Sequence, residues 1–199
     1  MASLKIGILA SGGGSNFQAI LDAIRRGELD AEVVMVISNN SDSGALERAR
    51  AAGLLWRHLS GLTHPAPAAL DAAICDAMRA AGADIICLAG YMKKIGPATL
   101  AAYRDCILNI HPALLPKYGG EGCYGIHVHE KVIAADDKVS GATVHVVDAQ
   151  YDHGRILEQI EVPVEPGDTP ETLQQRVLKE EHKLYPRLLR KIATGEIEL

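Results

Sequence analysis

The chain lacks an excess of positive charge. Its 199 residues include 20 lysines and arginines against 25 aspartates and glutamates, which gives a formal net charge of −5. A surface that grips nucleic acid or anionic lipid usually has the opposite balance. The composition therefore predicts small-molecule partners, with no nucleic acid and no membrane. Any anionic ligand must be held by a local pocket.

Long hydrophobic runs and closely spaced cysteine pairs are also missing. The N-terminal stretch "MASLKIGILASGGGSN" breaks into glycines before it reaches the length of a signal peptide or a membrane span. We therefore expect a cytoplasmic protein. The four cysteines form no C-x-x-C pair, so we interpret them as reduced core thiols. They are Cys75, Cys87, Cys106 and Cys123.

The chain does contain an alternation of apolar strands with amphipathic helices. The predicted strands are "LKIGILAS", "AEVVMVISN", "LLWRHLS", "ADIICLAG", "CILNIHP", "SGATVHVVD" and "RILEQIEVPV". Helical spacing occurs around 15–26, 43–52, 66–81, 127–135 and 170–193, with Ser43 and Thr169 as expected N-caps. This pattern predicts an α/β fold, Rossmann-like and doubly wound, with a mostly parallel sheet flanked by helices. We expect a single domain over residues 1–199.

The segment "ILASGGGSNFQAI" places a glycine-rich turn between a strand and a helix. Such a turn brings backbone N–H groups and a helix N-terminus close to a ligand, so we predict a phosphate site at residues 12–16. A dinucleotide fingerprint would need glycine at Phe17 and an acidic residue at 39–40, where two asparagines stand. A P-loop would need a lysine, and none occurs between Lys5 and Lys93. A tight turn without a ligand is the alternative.

The segment "CILNIHPALLPKY" ends an apolar strand in two polar residues, Asn109 and His111, which share one face because they are two positions apart. They should lie in the same cleft as the glycine turn, since ligands bind beyond the carboxyl ends of parallel strands. An amide and an imidazole side by side can donate to a developing oxyanion. In "GATVHVVDAQYDHG", Asp152 is a candidate carboxylate partner for His111 and would favour its protonated form, whereas burial alone would favour the neutral one. A protonated His111 would help Asn109 to stabilise the oxyanion. A histidine that caps a strand end and a polar turn are the alternatives.

The motif "HVHE" at 127–130 raises the question of a metal site. On a helix, His127 and His129 point to different faces, and no Glu-x-x-His spacing or cysteine pair accompanies them. We therefore expect no metal.

Four segments, in their order and spacing, together resemble the phosphoribosylglycinamide formyltransferase family of de novo purine biosynthesis. They are "ASGGGSNFQAI", "LAGYMKKIGP", "LNIHPALLPKYGGEGCYGIHVHEKVI" and "SGATVHVVDAQYDHGRIL". The resemblance covers essentially the whole chain and implies the formyltransferase fold. It also implies transfer of a formyl group from 10-formyltetrahydrofolate, as cosubstrate, to the amine of glycinamide ribonucleotide. A homodimer is a possible assembly.

The resemblance also implies roles for particular residues. Asn109, His111 and Asp152 match the catalytic trio, and His145 matches a supporting second histidine. Positions matching the ribonucleotide and phosphate site are Gly14, Ser15, Asn16 and Glu181. Positions matching the folate pocket are Met92, Lys93, Lys94, Ile95, Asn109, Asp148 and Asp152.

Three other functions use parts of the same pattern. A formyltetrahydrofolate deformylase would pass the formyl group to water, and that family carries an extra N-terminal domain. Methionyl-tRNA formyltransferase would need a further C-terminal domain and a basic surface. A nucleotide-binding module without chemistry would keep the glycine turn but would have no use for the trio. The sequence favours the ribonucleotide formyltransferase over all three.

Overall fold

The computed structural model describes residues 3–199 and contains one seven-stranded sheet in the order β3-β2-β1-β4-β5-β6-β7. The strands are β1 (Leu4–Ala10), β2 (Ala31–Ser38), β3 (Trp56–His58), β4 (Ile85–Leu88), β5 (Ile107–His111), β6 (Val139–Val146) and β7 (Ile156–Pro163). The helices are α1 (Ser15–Arg25), α2 (Gly44–Ala51), α3 (Pro67–Ala80), α4 (Pro97–Ala102), α5 (Ile126–Ala134) and α6 (Pro170–Ala193). None of the helices in this described range is long and apolar enough to cross a membrane.

The strands from β1 to β5 pair in parallel, whereas β6 and β7 pair antiparallel. Alternate side chains of β1 enter two hydrophobic clusters: Ile6 and Ile8 join one with α1, α2, α5 and α6, and Leu9 joins the other with α3. Helices therefore cover both faces of the sheet, which explains why its central strands are apolar on both sides. The predicted doubly wound fold class is confirmed.

Helices α2 and α6 begin directly after the predicted N-cap residues. The Ser43 side chain accepts a hydrogen bond from Leu46 N at 3.3 Å, and Thr169 forms a capping box with Thr172. One local expectation was wrong, because the third strand is confined to Trp56–His58. The short helix α4 was not predicted, since its six residues are too few to show a helical period.

The strand order predicts the edge of the sheet at which a ligand binds. Strands β1 and β4 are neighbours although the chain visits β2 and β3 between them, so the strand order reverses at this point. The glycine turn follows β1, and Asn109 and His111 end β5 beside β4. The carboxyl ends of these strands thus bring both sequence motifs to the same edge.

Candidate active site

A cleft of about 1020 Å³ opens at this edge of the sheet. All of the predicted site residues line it, from both ends of the chain: Gly14, Ser15, Asn16, Met92, Lys93, Lys94, Ile95, Asn109, His111, His145, Asp148, Asp152 and Glu181. The structure therefore brings together every residue predicted for the catalytic trio, its supporting histidine, the ribonucleotide site and the folate pocket.

The predicted trio is assembled by the pairing of β5 with β6. Asn109 lies opposite His145 in the register, and its Nδ2 is 3.2 Å from Nε2 of that ring. Asp152 Oδ1 lies 3.5 Å from Nδ1 of His111 and 3.4 Å from Nε2 of His145. One carboxylate oxygen thus faces both imidazoles.

The two imidazoles are fixed by backbone carbonyls. Nε2 of His111 donates to Tyr118 O at 2.9 Å, and Nδ1 of His145 donates to Val146 O at 2.9 Å, because a carbonyl oxygen can only accept. On each ring, one nitrogen therefore remains free to contact other groups in the cleft. When neutral, His145 accepts from the Asn109 amide through Nε2, whereas a protonated ring would donate that proton to Asp152.

The charge on His111 differs from the sequence-based expectation. Burial lowers the pKa of this ring and outweighs the opposing effects of Asp152 and the Tyr118 carbonyl, so the pKa lies below its usual 6.5. In the free protein the ring is therefore mainly neutral at pH 7, with its proton on Nε2. The side chain is almost fully enclosed, which makes the loss of hydration the larger effect.

Asp152 is ionised. Burial alone would raise its pKa, but contacts with His145 and His111 and the amide of Gly120 together lower it below the usual 3.8. The Gly120 N–H donates to Oδ2 at 2.9 Å. The carboxylate can therefore stabilise positive charge on the neighbouring imidazoles.

The glycine turn presents the start of α1 to the cleft. Gly14 is the N-cap with φ +71°, and no side chain caps this helix end. The first-turn N–H groups are thus left for a ligand, as anion binding requires. Arg48 of α2 donates to Gly13 O at 2.8 Å and adds a positive charge that the sequence analysis did not single out.

Asn16 and Glu181 meet in the cleft although they are 165 positions apart in the chain. Asn16 Nδ2 donates to Glu181 Oε2 at 2.6 Å, and burial raises the pKa of this carboxyl above 4.5. The Oδ1 atom of Asn16 is buried without a hydrogen-bond partner among the described residues. It is an acceptor available to a ligand donor.

The predicted folate residues also line the cleft. Ser11 Oγ accepts from Met92 N at 2.8 Å and so ties this segment to the glycine turn. Lys94 Nζ lies 5.6 Å from the centre of the Tyr151 ring. Asp148 accepts a hydrogen bond from His153 at 2.8 Å. It therefore differs from Asp152, which contacts the histidines His111 and His145.

His129 also lines the cleft, although its sequence context did not place it there. Its "HVHE" context suggested only the metal question, and residues 3–199 contain no group of three or more possible ligands placed to hold an ion. Burial lowers its pKa to about 4, and its Nδ1 is buried without a partner in the described chain. The ring is therefore neutral at pH 7 and available to a ligand.

This low pKa predicts a specific acid sensitivity. A histidine buried in neutral form stabilises the fold above pH 6.5, and this contribution is lost as the pH falls towards 4, because the unfolded chain then binds the proton more readily. We expect the melting temperature of His129→Gln to fall less between pH 7.5 and pH 4.5 than that of the wild type. Thermal unfolding at both pH values measures this, and equal falls would contradict it.

Comparison with known proteins identifies the class. A family model described as "Formyl transferase" matches residues 4–189, so the chain belongs to the formyl transferase family. The chain is 41% identical over 195 residues to "Phosphoribosylglycinamide formyltransferase, chloroplastic" of Arabidopsis thaliana, covering 98% of this chain and 67% of that one. It is 35% identical to the Escherichia coli (strain K12) "Phosphoribosylglycinamide formyltransferase", covering 98% and 90%. Within its family the chain is thus a member of the phosphoribosylglycinamide formyltransferases.

Solved structures agree with this assignment. The crystal structure of glycinamide ribonucleotide transformylase 1 from Symbiobacterium toebii has a TM-score of 0.93 and 42% identity, covering 100% of this chain and 91% of that one. A formyltetrahydrofolate deformylase from Pseudomonas syringae has a TM-score of 0.87 at 23% identity, covering 99% and 63%, which shows the fold alone. The predicted family and enzyme class are confirmed.

Proposed function

We propose that the chain transfers the formyl group of 10-formyltetrahydrofolate to the amine of N1-(5-phospho-D-ribosyl)glycinamide in de novo purine biosynthesis. The observation that carries the proposal is the shared cleft. It contains a donor amide, two histidines and an ionised carboxylate in mutual contact, together with an uncapped helix N-terminus suited to phosphate. Residues 1–199 would act as one formyltransferase domain, since both hydrophobic clusters pack on the same sheet.

The two substrates would occupy different parts of the cleft. The ribonucleotide phosphate would bind the N–H groups of Gly14, Ser15 and Asn16, and the buried Asn16–Glu181 pair would accept hydrogen bonds from its glycinamide end. The folate would lie along residues 92–95, with Asp148 and Asp152 at its other side. Binding at the remote phosphate would hold the amine against the formyl carbon.

The chemistry begins with a neutral His111. The amine attacks the formyl carbon, and the carbonyl oxygen takes the electron pair of the broken π bond. The Asn109 amide donates a hydrogen bond to this oxyanion. His111 takes up the proton that the amine loses, directly or through a water, and Asp152 stabilises the resulting imidazolium at 3.5 Å.

The intermediate then collapses with the proton returned to the leaving group. The oxyanion reforms the carbonyl, the bond from carbon to the folate nitrogen breaks, and the His111 proton passes to that nitrogen. The histidine ends neutral, as it began, and no covalent enzyme intermediate is formed. This proposal starts from a neutral His111, whereas the sequence-based expectation had a protonated ring at the oxyanion.

Hydrolysis to formate is the second reaction that the trio could support. It would need water in place of the amine, and the proposed phosphate site would then have no role. The discriminating experiment measures folate product from 10-formyltetrahydrofolate with and without the ribonucleotide. We expect product formation to require the ribonucleotide, and an equal rate without it would support the deformylase reaction instead.

The phosphate site can be tested by crowding it. A Cβ added at Gly13 meets no atom within 4 Å, and this glycine lines the cleft. We expect Gly13→Ala to raise the KM for the ribonucleotide about tenfold or more, since the methyl group occupies ligand space, with little change in the folate KM. Steady-state kinetics with each substrate varied in turn measure this.

Two further glycines serve as references for that variant. Gly61→Ala is the matched control, because its Cβ also meets nothing within 4 Å and the residue lies outside the cleft lining. Gly14→Ala should instead reduce stability, since φ is +71° and the new Cβ would lie 2.8 Å from Ala45 Cα. An unchanged ribonucleotide KM in Gly13→Ala would place the phosphate elsewhere.

A further inference from the structure

Segment 118–120 holds two of the catalytic residues through its backbone. Tyr118 O accepts the Nε2–H of His111 at 2.9 Å, and Gly120 N donates to Asp152 Oδ2 at 2.9 Å. The orientation of the imidazole and of the carboxylate therefore depends on where this short segment lies. None of its own side chains needs to enter the reaction.

The backbone of this segment is held in an unfavourable conformation. Tyr118 has φ +58°, in the left-handed region that bulky residues rarely occupy. Such a conformation is energetically unfavourable and persists where surrounding contacts enforce it. The two glycines that follow contribute only backbone contacts, such as the Gly120 N–H to Asp152. Within segment 118–120, side-chain contacts therefore come from Tyr118.

The Tyr118 side chain is held by a carboxylate outside the reacting trio. Its hydroxyl donates to Asp137 Oδ2 at 2.6 Å, in the turn between α5 and β6. Lys117 Nζ lies 2.8 and 2.6 Å from the two oxygens of the same carboxylate and 5.0 Å from the centre of the Tyr118 ring. Tyr118 also packs against the larger hydrophobic cluster.

We propose that Asp137, acting through the Tyr118 hydroxyl, is a positioning residue that sets the orientation of His111 and Asp152. The proposal rests on the catalytic roles given above. Asp137 and Tyr118 do not line the catalytic cleft; they line a separate cavity of about 300 Å³ with Lys117 and Ser140. The position of the catalytic histidine is thus fixed from a neighbouring surface of the protein.

Movement of segment 118–120 should change the pKa of His111. The groups that face His111 are Asp152 from the loop after β6, His145 from β6 and His129 from α5, together with the Tyr118 carbonyl. The carbonyl and Asp152 both raise the pKa of His111, against the lowering by burial. If segment 118–120 moves, both raising contacts weaken, so the His111 pKa should fall further.

The test compares three variants with the wild type. Tyr118→Phe removes the hydroxyl and keeps the ring, Asp137→Ala removes the acceptor, and Asp137→Asn keeps an acceptor oxygen for the tyrosine. The matched control is Asp136→Asn, in the same turn, where an exposed carboxylate pairs with exposed Lys138 at 2.7 Å. Asparagine tolerates the left-handed φ of +52° at that position.

We expect kcat to fall roughly tenfold in Tyr118→Phe and Asp137→Ala, with KM for both substrates little changed and a smaller loss in Asp137→Asn. Asp136→Asn should match the wild type. Adding Asp137→Ala to His111→Ala should cause no further loss of kcat, because the two act through one group.

A nuclear magnetic resonance titration of His111 separates this proposal from the proposed function. The His111 pKa should be lower in Tyr118→Phe than in the wild type, whatever reaction the protein catalyses. An unshifted His111 titration in folded Tyr118→Phe would overturn the positioning role. Unchanged kcat in both Tyr118→Phe and Asp137→Ala would also overturn it. An inactive wild type with the expected pKa shift would instead contradict the proposed function.

Discussion

His111→Ala and Asn109→Ala should each lower kcat by about 10²-fold or more while changing the KM of both substrates little. The physical reason is that each side chain stabilises charge that develops during the reaction, not in the bound substrates. Asn109 supplies an amide donor for the oxyanion. His111 carries the transferred proton. Steady-state kinetics with both substrates saturating measure kcat directly.

The double variant tests whether the two residues act on one intermediate. If they do, the kcat of the double variant should fall by less than the two single fold-losses multiplied together. The reason is that the first substitution already weakens stabilisation of the same intermediate. Melting temperatures near the wild-type value confirm that each variant is folded. Near-native kcat in a folded single variant would remove that residue from the mechanism.

Asp152→Asn should lower kcat by about 10² to 10⁴-fold with substrate binding largely retained. Asparagine keeps an oxygen for the Gly120 N–H, so the loop geometry is preserved, but the negative charge 3.5 Å from Nδ1 of His111 is lost. The imidazolium formed in the intermediate then has no partner. Steady-state kinetics that compare the kcat of Asp152→Asn with that of the wild type test this effect.

The same substitution has a spectroscopic consequence. Burial already lowers the His111 pKa below 6.5, and Asp152 partly opposes this effect. Removing the carboxylate should therefore lower the pKa further, as a titration followed by nuclear magnetic resonance would show. Asp148→Asn is the comparison variant, since Asp148 contacts His153 and should affect the folate KM more than kcat. A normal kcat and an unshifted His111 titration in Asp152→Asn would contradict the assigned role.

The fold and the location of the cleft could be predicted from local patterns. The apolar strands, the helical spacing and the caps at Ser43 and Thr169 are properties of neighbouring residues, and they determine the doubly wound sheet. The positions of the glycine turn and of Asn109 and His111 then follow from the rule that ligands bind at strand carboxyl ends.

Contacts that depend on backbone atoms or on distant parts of the chain could not be predicted from residue patterns. No sequence pattern indicates that the Tyr118 carbonyl accepts a hydrogen bond from His111. Tyr118 forms this bond with a left-handed backbone conformation, which is rare for tyrosine. The Asn16–Glu181 hydrogen bond spans 165 positions, and only the family resemblance connected those residues.

The charge of His111 was also beyond sequence reasoning. The ring has a carboxylate neighbour that favours its protonated form and an enclosed position that favours the neutral one. Which effect is larger depends on how much water the fold excludes, and this is a property of the packed structure.

The destination of the formyl carbon distinguishes transfer to the ribonucleotide amine from hydrolysis. The wild-type protein is incubated with 10-formyltetrahydrofolate labelled with ¹³C at the formyl carbon and with the ribonucleotide, and the carbon is followed by nuclear magnetic resonance. We expect the label to appear in the formamide of the ribonucleotide, and we expect His111→Ala to abolish this signal over the same time. Label appearing as formate in the presence of the ribonucleotide, or transfer unaffected in His111→Ala, would contradict it.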